Sequence, residues 1–449
     1  MSKQRIQLSD HFTYPRLLRF VLPCIGTMLF TSIYGIVDGL CVSNFVGKTA
    51  FAAVNLIMPL PMLLGTIGFM LGTGGSAIVG ITLGEGDQKK ADRYFTLFLL
   101  AALVSVSVLA VLGIVFLRPI AVLLGARGEL LDYAVRYGRI LMVSLPTFAL
   151  QNMFQSFFVT AEKPHLGFWF TVGAGCTNMV LDVLMVGIWG WGVEGAAIAT
   201  FISQLVGGVL PVFYFIDRSN TSRLHLCQTK VYGGVLRDAC INGSSELMTN
   251  LSMSLVNILY NFQLLRLAGE NGVAAYGVIM YAAFLFVAVF VGYAVGSAPI
   301  VSFHYGARNH AEVHNLYRKS LRLIAVVAVT LTLASMFIIP CVARVFVGYD
   351  AELLALTSRA FRLYALSFLI MGFNVYASSF FTALGDGVTS ALISFLRTLA
   401  FQVIAILLLP MLLGIDGIWL AVTAAELAAL AVSAAMLLTK DKVFHYRKA

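Results

Sequence analysis

The sequence predicts an all-α polytopic membrane protein, with twelve transmembrane helices in two pseudo-symmetric six-helix lobes around a central cavity. Three observations predict it: an excess of apolar residues, their division into twelve runs, and an internal repeat. Of 449 residues, 59% are apolar and 11% charged. That is roughly 265 apolar side chains, more than a water-soluble core of this length can hide. A soluble enzyme is therefore excluded. The 40 glycines and 11 prolines fit spanning helices, where neighbouring helices re-satisfy freed backbone groups.

Taken in order, the apolar runs lie at 17–42, 50–81, 93–117, 134–160, 165–188, 193–215, 236–265, 273–303, 320–346, 360–383, 389–413 and 417–438. Each is long enough for a span of about 20 residues. The first follows a charged lead and carries no small-residue cleavage site, so it is expected to remain as helix 1. Twenty of the 30 Lys and Arg fall on the side that carries both termini. The opposite side holds five: Lys48, Arg118, Arg127, Arg266 and Arg344. By the positive-inside rule the chain is a multi-pass protein of the cell membrane with both termini cytoplasmic, and Trp189, Trp191 and Trp419 anchor the outer interface. The net charge of +9 then faces lipid headgroups rather than nucleic acid. Cys24, Cys41, Cys176, Cys227, Cys240 and Cys341 are scattered without metal-ligand spacing and are expected to serve packing.

The chain repeats itself. LGEGDQKKAD at 83–92 lines up with HYGARNHAEV about 222 residues on, QSFFVTA at 155–161 with SSFFTAL, and GVEGAAIAT at 192–200 with GIDGIWLAV. Arg136 and Arg139 recur as Arg359 and Arg362. Two halves of like topology follow, an arrangement that transporters use to hold a site between halves. The predicted organisation is an N-lobe over 1–215 (helices 1–6), a polar cytoplasmic linker over 216–235 and a C-lobe over 236–449 (helices 7–12).

Ionisable groups deep in lipid are costly and mark function. Asp38 on helix 1 and Asp182 on helix 5 are predicted at equal depth. Tyr34 and Asn178 each sit four residues earlier on the same helix face. Thr200 on helix 6 reaches that depth from the other direction. Two carboxylates in a poorly hydrated pocket cannot both stay charged and uncompensated, so they take up a proton or a cation. Carboxylate, amide and hydroxyl oxygens are hard ligands, and Na⁺ at Asp38, Asn178, Asp182 and Thr200 is one form of the site. The competing reading is a hydrogen-bonded knot fastening helices 1, 5 and 6. Pro23 removes a backbone donor from helix 1 and predicts a hinge there; a simple curve is the alternative.

Helix 7 carries Glu246, Asn250, Ser254, Asn257 and Asn261 at steps of four and three, a polar stripe that cannot face lipid. With Gln151 and Gln155 on helix 4 and Asn374 on helix 10, it is expected to line a wet central cavity. Glu246 is either a counter-charge to cargo, a second proton site or a buffered carboxyl. Arg397 and Glu426, at similar depth on consecutive helices, are expected to form a structural ion pair. His304, His310 and His314 imitate a zinc cluster but lack a supporting carboxylate or thiolate set, and read as a solvated loop. The 33 Phe and 16 Met offer soft surface for flat organic cations.

With spans and halves aligned, the chain resembles the multidrug and toxic compound extrusion (MATE) family over essentially its whole length, nearer the DinF-like branch. The stretches that carry the likeness are YGIVDGLCVSNFVG at 34–47, FAAVNLIMP at 51–59, LGTGGSAIVGITLGEGDQKKA at 71–91, NMVLD at 178–182 and GVEGAAIAT at 192–200. The resemblance implies export of cationic or amphipathic drugs and metabolites, driven by inward H⁺ or Na⁺. It also implies an N-lobe cation site, matched here by Tyr34, Asp38, Asn178, Asp182 and Thr200, and a bending proline, matched by Pro23. Helix 10 offers Asn374 where the other main branch has an acidic group, which argues against C-lobe coupling.

The expected cycle is antiport by alternating access. The ion binds at Asp38 and Asp182 from outside, displaces cargo from an N-lobe cavity and rearranges helix 1, and the lobes rock inward. No cofactor other than the coupling ion is expected, the partners are a small organic cation or amphipathic molecule and membrane lipids, and the protein is expected to act as a monomer. A flippase for an anionic lipid-linked sugar fits less well, since the deep ionisable groups are mainly acidic. A major-facilitator carrier lacks its D-R-x-G-R loop here, and an intramembrane enzyme would need a nucleophile with its base or a metal set.

Overall fold

A backbone amide in hydrocarbon finds no water, so each apolar run must satisfy its own hydrogen bonds, and a helix does this within the segment. The computed structural model describes residues 6–45, 48–348 and 350–446, without the side chains of 38–45, 48, 51 and 345. The Asp38 side chain therefore lies outside the described residues, although its backbone belongs to the first helix. Among the described residues all regular structure is helical. The N-terminal half holds α1 (Tyr14–Phe45), α2 (Lys48–Ile57 continued by Pro59–Gly84), α3 (Gln88–Leu123), α4 (Glu129–Thr160), α5 (Pro164–Asp182 with a π-helical turn Val183–Ile188) and α6 (Gly192–Gly208 with Leu210–Ile216).

The second half begins with the 74-residue run Gly233–Gly306. At 1.5 Å per residue such a run is far longer than a hydrocarbon core of about 30 Å. It breaks at Gly269, whose φ of 61° and ψ of −150° suit glycine, giving α7 (233–268) and α8 (270–306). There follow α9 (His310–Val347), α10 (Ala351–Ala365 and Phe368–Ala383, bent by 46°), α11 (Gly387–Phe395, a π-helical turn Leu396–Ala400, Phe401–Leu413), α12 (Ile415–Thr439) and a short α13 (Asp441–Phe444). Nine helices, or ten with the bent pair, are long and apolar enough to cross a membrane among the described residues. Splitting the 74-residue run adds one more. The twelfth is α4, whose early turns carry Glu129, Asp132, Arg136 and Arg139.

The repeat is written into the backbone. Asp87 caps α3 by accepting the Lys90 amide at 3.0 Å, and Asn309 caps α9 by accepting the Glu312 amide at 3.2 Å. Left-handed residues recur in pairs: Gly86 with Arg308, Glu162 with Gly385, Gly192 with Gly414. The aligned arginines form matched inter-helix ion pairs, Arg136 to Glu194 in one half and Arg359 to Asp416 in the other. Both arginines are largely exposed, so the pairs stabilise little and report geometry.

The two ends of the described chain, near residues 6–12 and 441–446, gather with the linker at one end of the bundle. The Phe12 amide donates to Glu312 on α9 at 2.8 Å, and the Tyr446 carbonyl meets the His314 ring at 2.9 Å. Linker amides at His225 and Cys227 donate to Asp92 and Thr96 of α3, while Arg223 pairs with Glu162 at 2.8 Å. At this linker face the halves meet backbone to backbone. A Cβ added to Gly84 of α2 would stand 2.0 Å from the Phe303 carbonyl of α8 there, and deeper in the bundle, about ten residues along α7, one on Gly243 would stand 1.9 Å from the Met70 carbonyl of α2. Towards the far face Gly35 and Gly277 have nothing within 4 Å of an added Cβ. The lobes are shut at the linker face.

This contact predicts that Gly243→Leu biases the protein away from the present closure. Overpacking a tight contact costs about 1–3 kcal/mol, roughly a 5- to 150-fold shift in a two-state equilibrium. The labelling rate of a cysteine at Ser76 by an impermeant thiol reagent applied from the linker face should rise accordingly; an unchanged rate would show that this glycine contact does not hold the lobes together.

Trp419 corrects one expectation. Trp189 and Trp191 are 52% and 50% exposed, as interface anchors are, but Trp419 is 1% exposed. The α11–α12 joint is too tight to leave it outside: a Cβ on Gly417 would stand 2.3 Å from the Leu409 carbonyl, which tucks the first turn of α12 into the lobe.

Candidate functional site

Helices α1, α5 and α6 pack on one another. α1 and α5 run side by side, with the Phe168 ring 3.1 Å from the Cβ position of Gly26 and the Phe30 and Tyr34 rings 2.5 and 3.1 Å from that of Gly175. Carried one turn further, this register sets position 38 of α1 level with 179–182 of α5. The missing side chain at Gly175 lets Tyr34 lie against α5 one turn before Asn178.

Asn178 and Asp182 are both buried, Asp182 completely. Among the described residues the Asn178 amide nitrogen has no hydrogen-bond partner. Turning that amide over presents its oxygen to the same space. The half-buried Thr200 hydroxyl donates to the Ala196 carbonyl at 3.0 Å, which leaves its lone pairs available to accept a bond or to ligate a cation. Directly after Asp182 the helix opens into the π-helical turn, where the Trp189 amide bonds the Leu184 carbonyl five residues back at 2.8 Å. Such turns gather at functional sites. No residue pattern in the sequence signals one.

α1 continues through Pro23 as one helix, and the Thr27 hydroxyl donates to the Pro23 carbonyl at 2.9 Å. Proline has no amide to give the Arg19 carbonyl, so the ladder is weakest there. One turn on, α1 meets the other lobe. A Cβ on Gly292 of α8 would stand 2.5 Å from the Ile25 Cα, and one on Gly296 would stand 3.2 Å from Cys24 Sγ.

The cavity lies mainly in the C-lobe, with a volume of about 340 Å³. Thr73 and Ser76 of α2 and Ser156 of α4 are its N-lobe walls. Glu246 and Asn257 line it with Tyr260, Tyr276, Arg397 and Glu426. Asn250, Ser254 and Asn261 do not, which corrects the expectation of a single lining stripe. A step of four residues overshoots a turn by about 40°, so two such steps carry Ser254 about 80° round the helix, whereas Asn257 returns to within about 20° of Glu246. Asn250 instead bonds the Glu246 carbonyl at 2.9 Å, and Ser254 and Asn261 are exposed.

The other expected lining residues are placed elsewhere. Gln151 is wedged under Gly207 of α6, whose added Cβ would stand 2.8 Å from its amide carbon. Gln155 borders a small void with Thr27 and Val295, where α1, α4 and α8 meet. Asn374 is fully buried and donates to the Glu426 carbonyl at 2.9 Å and to its carboxylate at 2.7 Å. Arg397, on the π-helical turn of α11, stands 3.7 Å from Glu426. Arg397 and Glu426 thus meet, and both also border the cavity. Sequence reading missed the tyrosines: Tyr260 and Tyr276 stack with centroids 4.9 Å apart, and the Tyr276 hydroxyl donates to Asn257 at 2.6 Å. Their signal was present as polar-tipped aromatics in mid-span, which need a buried partner.

A bundle of spanning helices in two repeated lobes, with a largely apolar cavity bordered by a few ionisable and hydroxyl side chains, has the architecture of a membrane transporter. The MatE family model matches residues 23–184 and again 247–408, equal stretches displaced by one interval, and the chain belongs to that family. It is 21% identical to the multidrug export protein MepA of Staphylococcus saprophyticus over 431 residues, covering 95% of this chain and 94% of that one. A crystal structure of a MATE in complex with MaL6 matches with a TM-score of 0.92 at 22% identity, covering 100% of both chains. The outward-facing conformation of a multidrug resistance MATE transporter of the MOP superfamily matches equally, with a TM-score of 0.92, 22% identity and 100% of both chains covered.

Proposed function

We propose that this chain exports cationic or amphipathic drugs or metabolites from the cell by antiport, driven by inward H⁺ or Na⁺. The observation that carries the coupling is the fully buried Asp182, set between the buried Asn178 amide and a π-helical turn and within reach of α1 and α6. A carboxylate buried at this depth is costly to hold in its charged form, and uptake of a proton or Na⁺ lowers that cost. Export of drugs is supported by the likeness to MepA, itself named a multidrug export protein. The cavity suits such cargo. Glu246 and Glu426 outnumber Arg397, stacked tyrosines offer π faces, and Met253, Met280 and Met371 give soft walls. An anionic lipid-linked sugar would meet two carboxylates there, with Arg397 already beside Glu426.

The cavity's position alters the expected cycle. Cargo in the C-lobe cavity and an ion at Asp182 need not compete for one carboxylate. Coupling runs instead through α1, which touches α5 at Tyr34 and α8, a cavity wall, at Cys24 and Ile25. Ion binding moves α1 about Pro23, α8 follows, and the cavity's affinity for cargo changes between the two conformations, which is what any coupled transporter requires.

The test is uptake of a fluorescent organic cation into inside-out vesicles, first under an imposed pH gradient and then under a sodium gradient. Uptake that follows at least one gradient and collapses with it is expected. Uptake indifferent to both would exclude ion coupling.

A further inference from the structure

An open apolar groove of about 500 Å³ runs between α1 and α5 on the lipid-facing side, close to the linker face. Leu18, Leu22, Gly26 and Phe168 form its walls and Pro23 its floor, and the residues at its mouth are Arg19 and His165, both exposed. Among the described residues no acidic side chain lines it. Glu162, the nearest carboxyl in the chain sequence, is held by Arg223 at 2.8 Å and by the Leu8 amide at 2.9 Å. Arg16, also exposed, adds a second fixed positive charge one turn from Arg19, and Trp169, 64% exposed, sits beside Phe168 as an interfacial aromatic.

We infer that this groove is a binding site for an anionic phospholipid, with the phosphate at Arg19 and His165 and an acyl chain along Leu18, Leu22, Gly26 and Phe168. The two ends make complementary demands that one molecule meets. Gly26 is seven residues, about 10 Å, deeper along α1 than Arg19, so the groove leads from the headgroup level into hydrocarbon. A free phosphate would use the mouth and leave the apolar walls unfilled; a zwitterionic lipid would fill the walls but bring its own ammonium, which repels the basic mouth and competes with it for the phosphate. Basic pockets between spanning helices at the membrane surface take acidic headgroups for this reason. The site also has a place in the fold. An acyl chain here lies against Pro23, where α1 lacks a backbone hydrogen bond, and supports the unbroken helix.

Native mass spectrometry of the full chain in detergent, offered equal amounts of phosphatidylglycerol and phosphatidylcholine, tests the inference. Each basic group near the headgroup is worth about a fivefold preference for the anionic lipid. The unmodified protein should therefore retain phosphatidylglycerol by at least about fivefold, and the Arg19→Gln, His165→Gln double variant should lose that preference. Leu22→Trp fills the groove without altering charge and should lower retention of both lipids at this site. Arg237→Gln, remote on α7 and already beside Asp238, should change nothing. The inference is overturned if the unmodified protein shows no preference, if Arg237→Gln matches the double variant, or if Leu22→Trp leaves retention intact. Displacement of the lipid by millimolar inorganic phosphate would likewise overturn it, since the walls would then contribute nothing.

Discussion

Asp182→Asn is expected to lower gradient-driven efflux by about 10- to 100-fold while leaving the bundle at least as stable as before. The substitution keeps shape and removes the capacity to change charge. A carboxyl that alternates between charged and neutralised forms can favour different conformations in turn; an amide cannot, so the ion loses its leverage on the lobes. Stability should move the other way, because a buried neutral amide costs less than a buried charge. That opposition separates coupling from a structural knot. If Asp182 merely fastened α1, α5 and α6, its loss would lower thermal stability and transport together. Thr200→Ala refines the outcome. The hydroxyl's lone pairs are free to ligate, so its removal should weaken Na⁺-driven efflux and spare H⁺-driven efflux. Efflux assays under each gradient, paired with melting temperatures of the purified variants, decide the matter, and full transport by Asp182→Asn would refute the coupling role.

The sequence was informative wherever one physical demand leaves one pattern. Spans were legible because an apolar run of bilayer length has few other uses. The repeat was legible because identical backbone turns demand similar residues, as with Asp87 and Asn309 at equivalent caps. The Asn178 and Asp182 spacing was legible because four residues bring two side chains to one helix face. Reading failed where geometry departs from the ideal helix. Treating every step of four as one face put Ser254 on the cavity wall, although the drift of an α-helix carries it away. The π-helical turns after Asp182 and around Arg397 depend on hydrogen-bond spacing that no residue type encodes. Trp419 was placed at the interface by its residue type, whereas the tightness of the α11–α12 joint decides its burial.

In the C-lobe, Arg397→Met is expected to destabilise the protein by about 3–5 kcal/mol. Glu426 is 1% exposed, and without the guanidinium its charge would rest on the Asn374 amide alone. The double variant Arg397→Met, Glu426→Gln should recover most of that loss, because it removes the fully buried carboxylate that Arg397 faced and keeps an acceptor for Asn374. Glu246→Gln is expected to behave differently. Glu246 borders the cavity and is half-buried, so neutralising it should leave melting unchanged while weakening binding of a cationic dye by about tenfold, the scale of one partly desolvated charge contact. A melting series with dye titrations on the same samples reads both effects. If Arg397→Met melts like the parent, the 3.7 Å pair carries no stability; if Glu246→Gln binds the dye normally, the cavity's acidic wall is not what selects cations. Arg397 stands between these two tests: it lies 3.7 Å from Glu426 and borders the same cavity as Glu246, so the melting series reads its pairing and the dye titration reads the carboxyl it does not pair with.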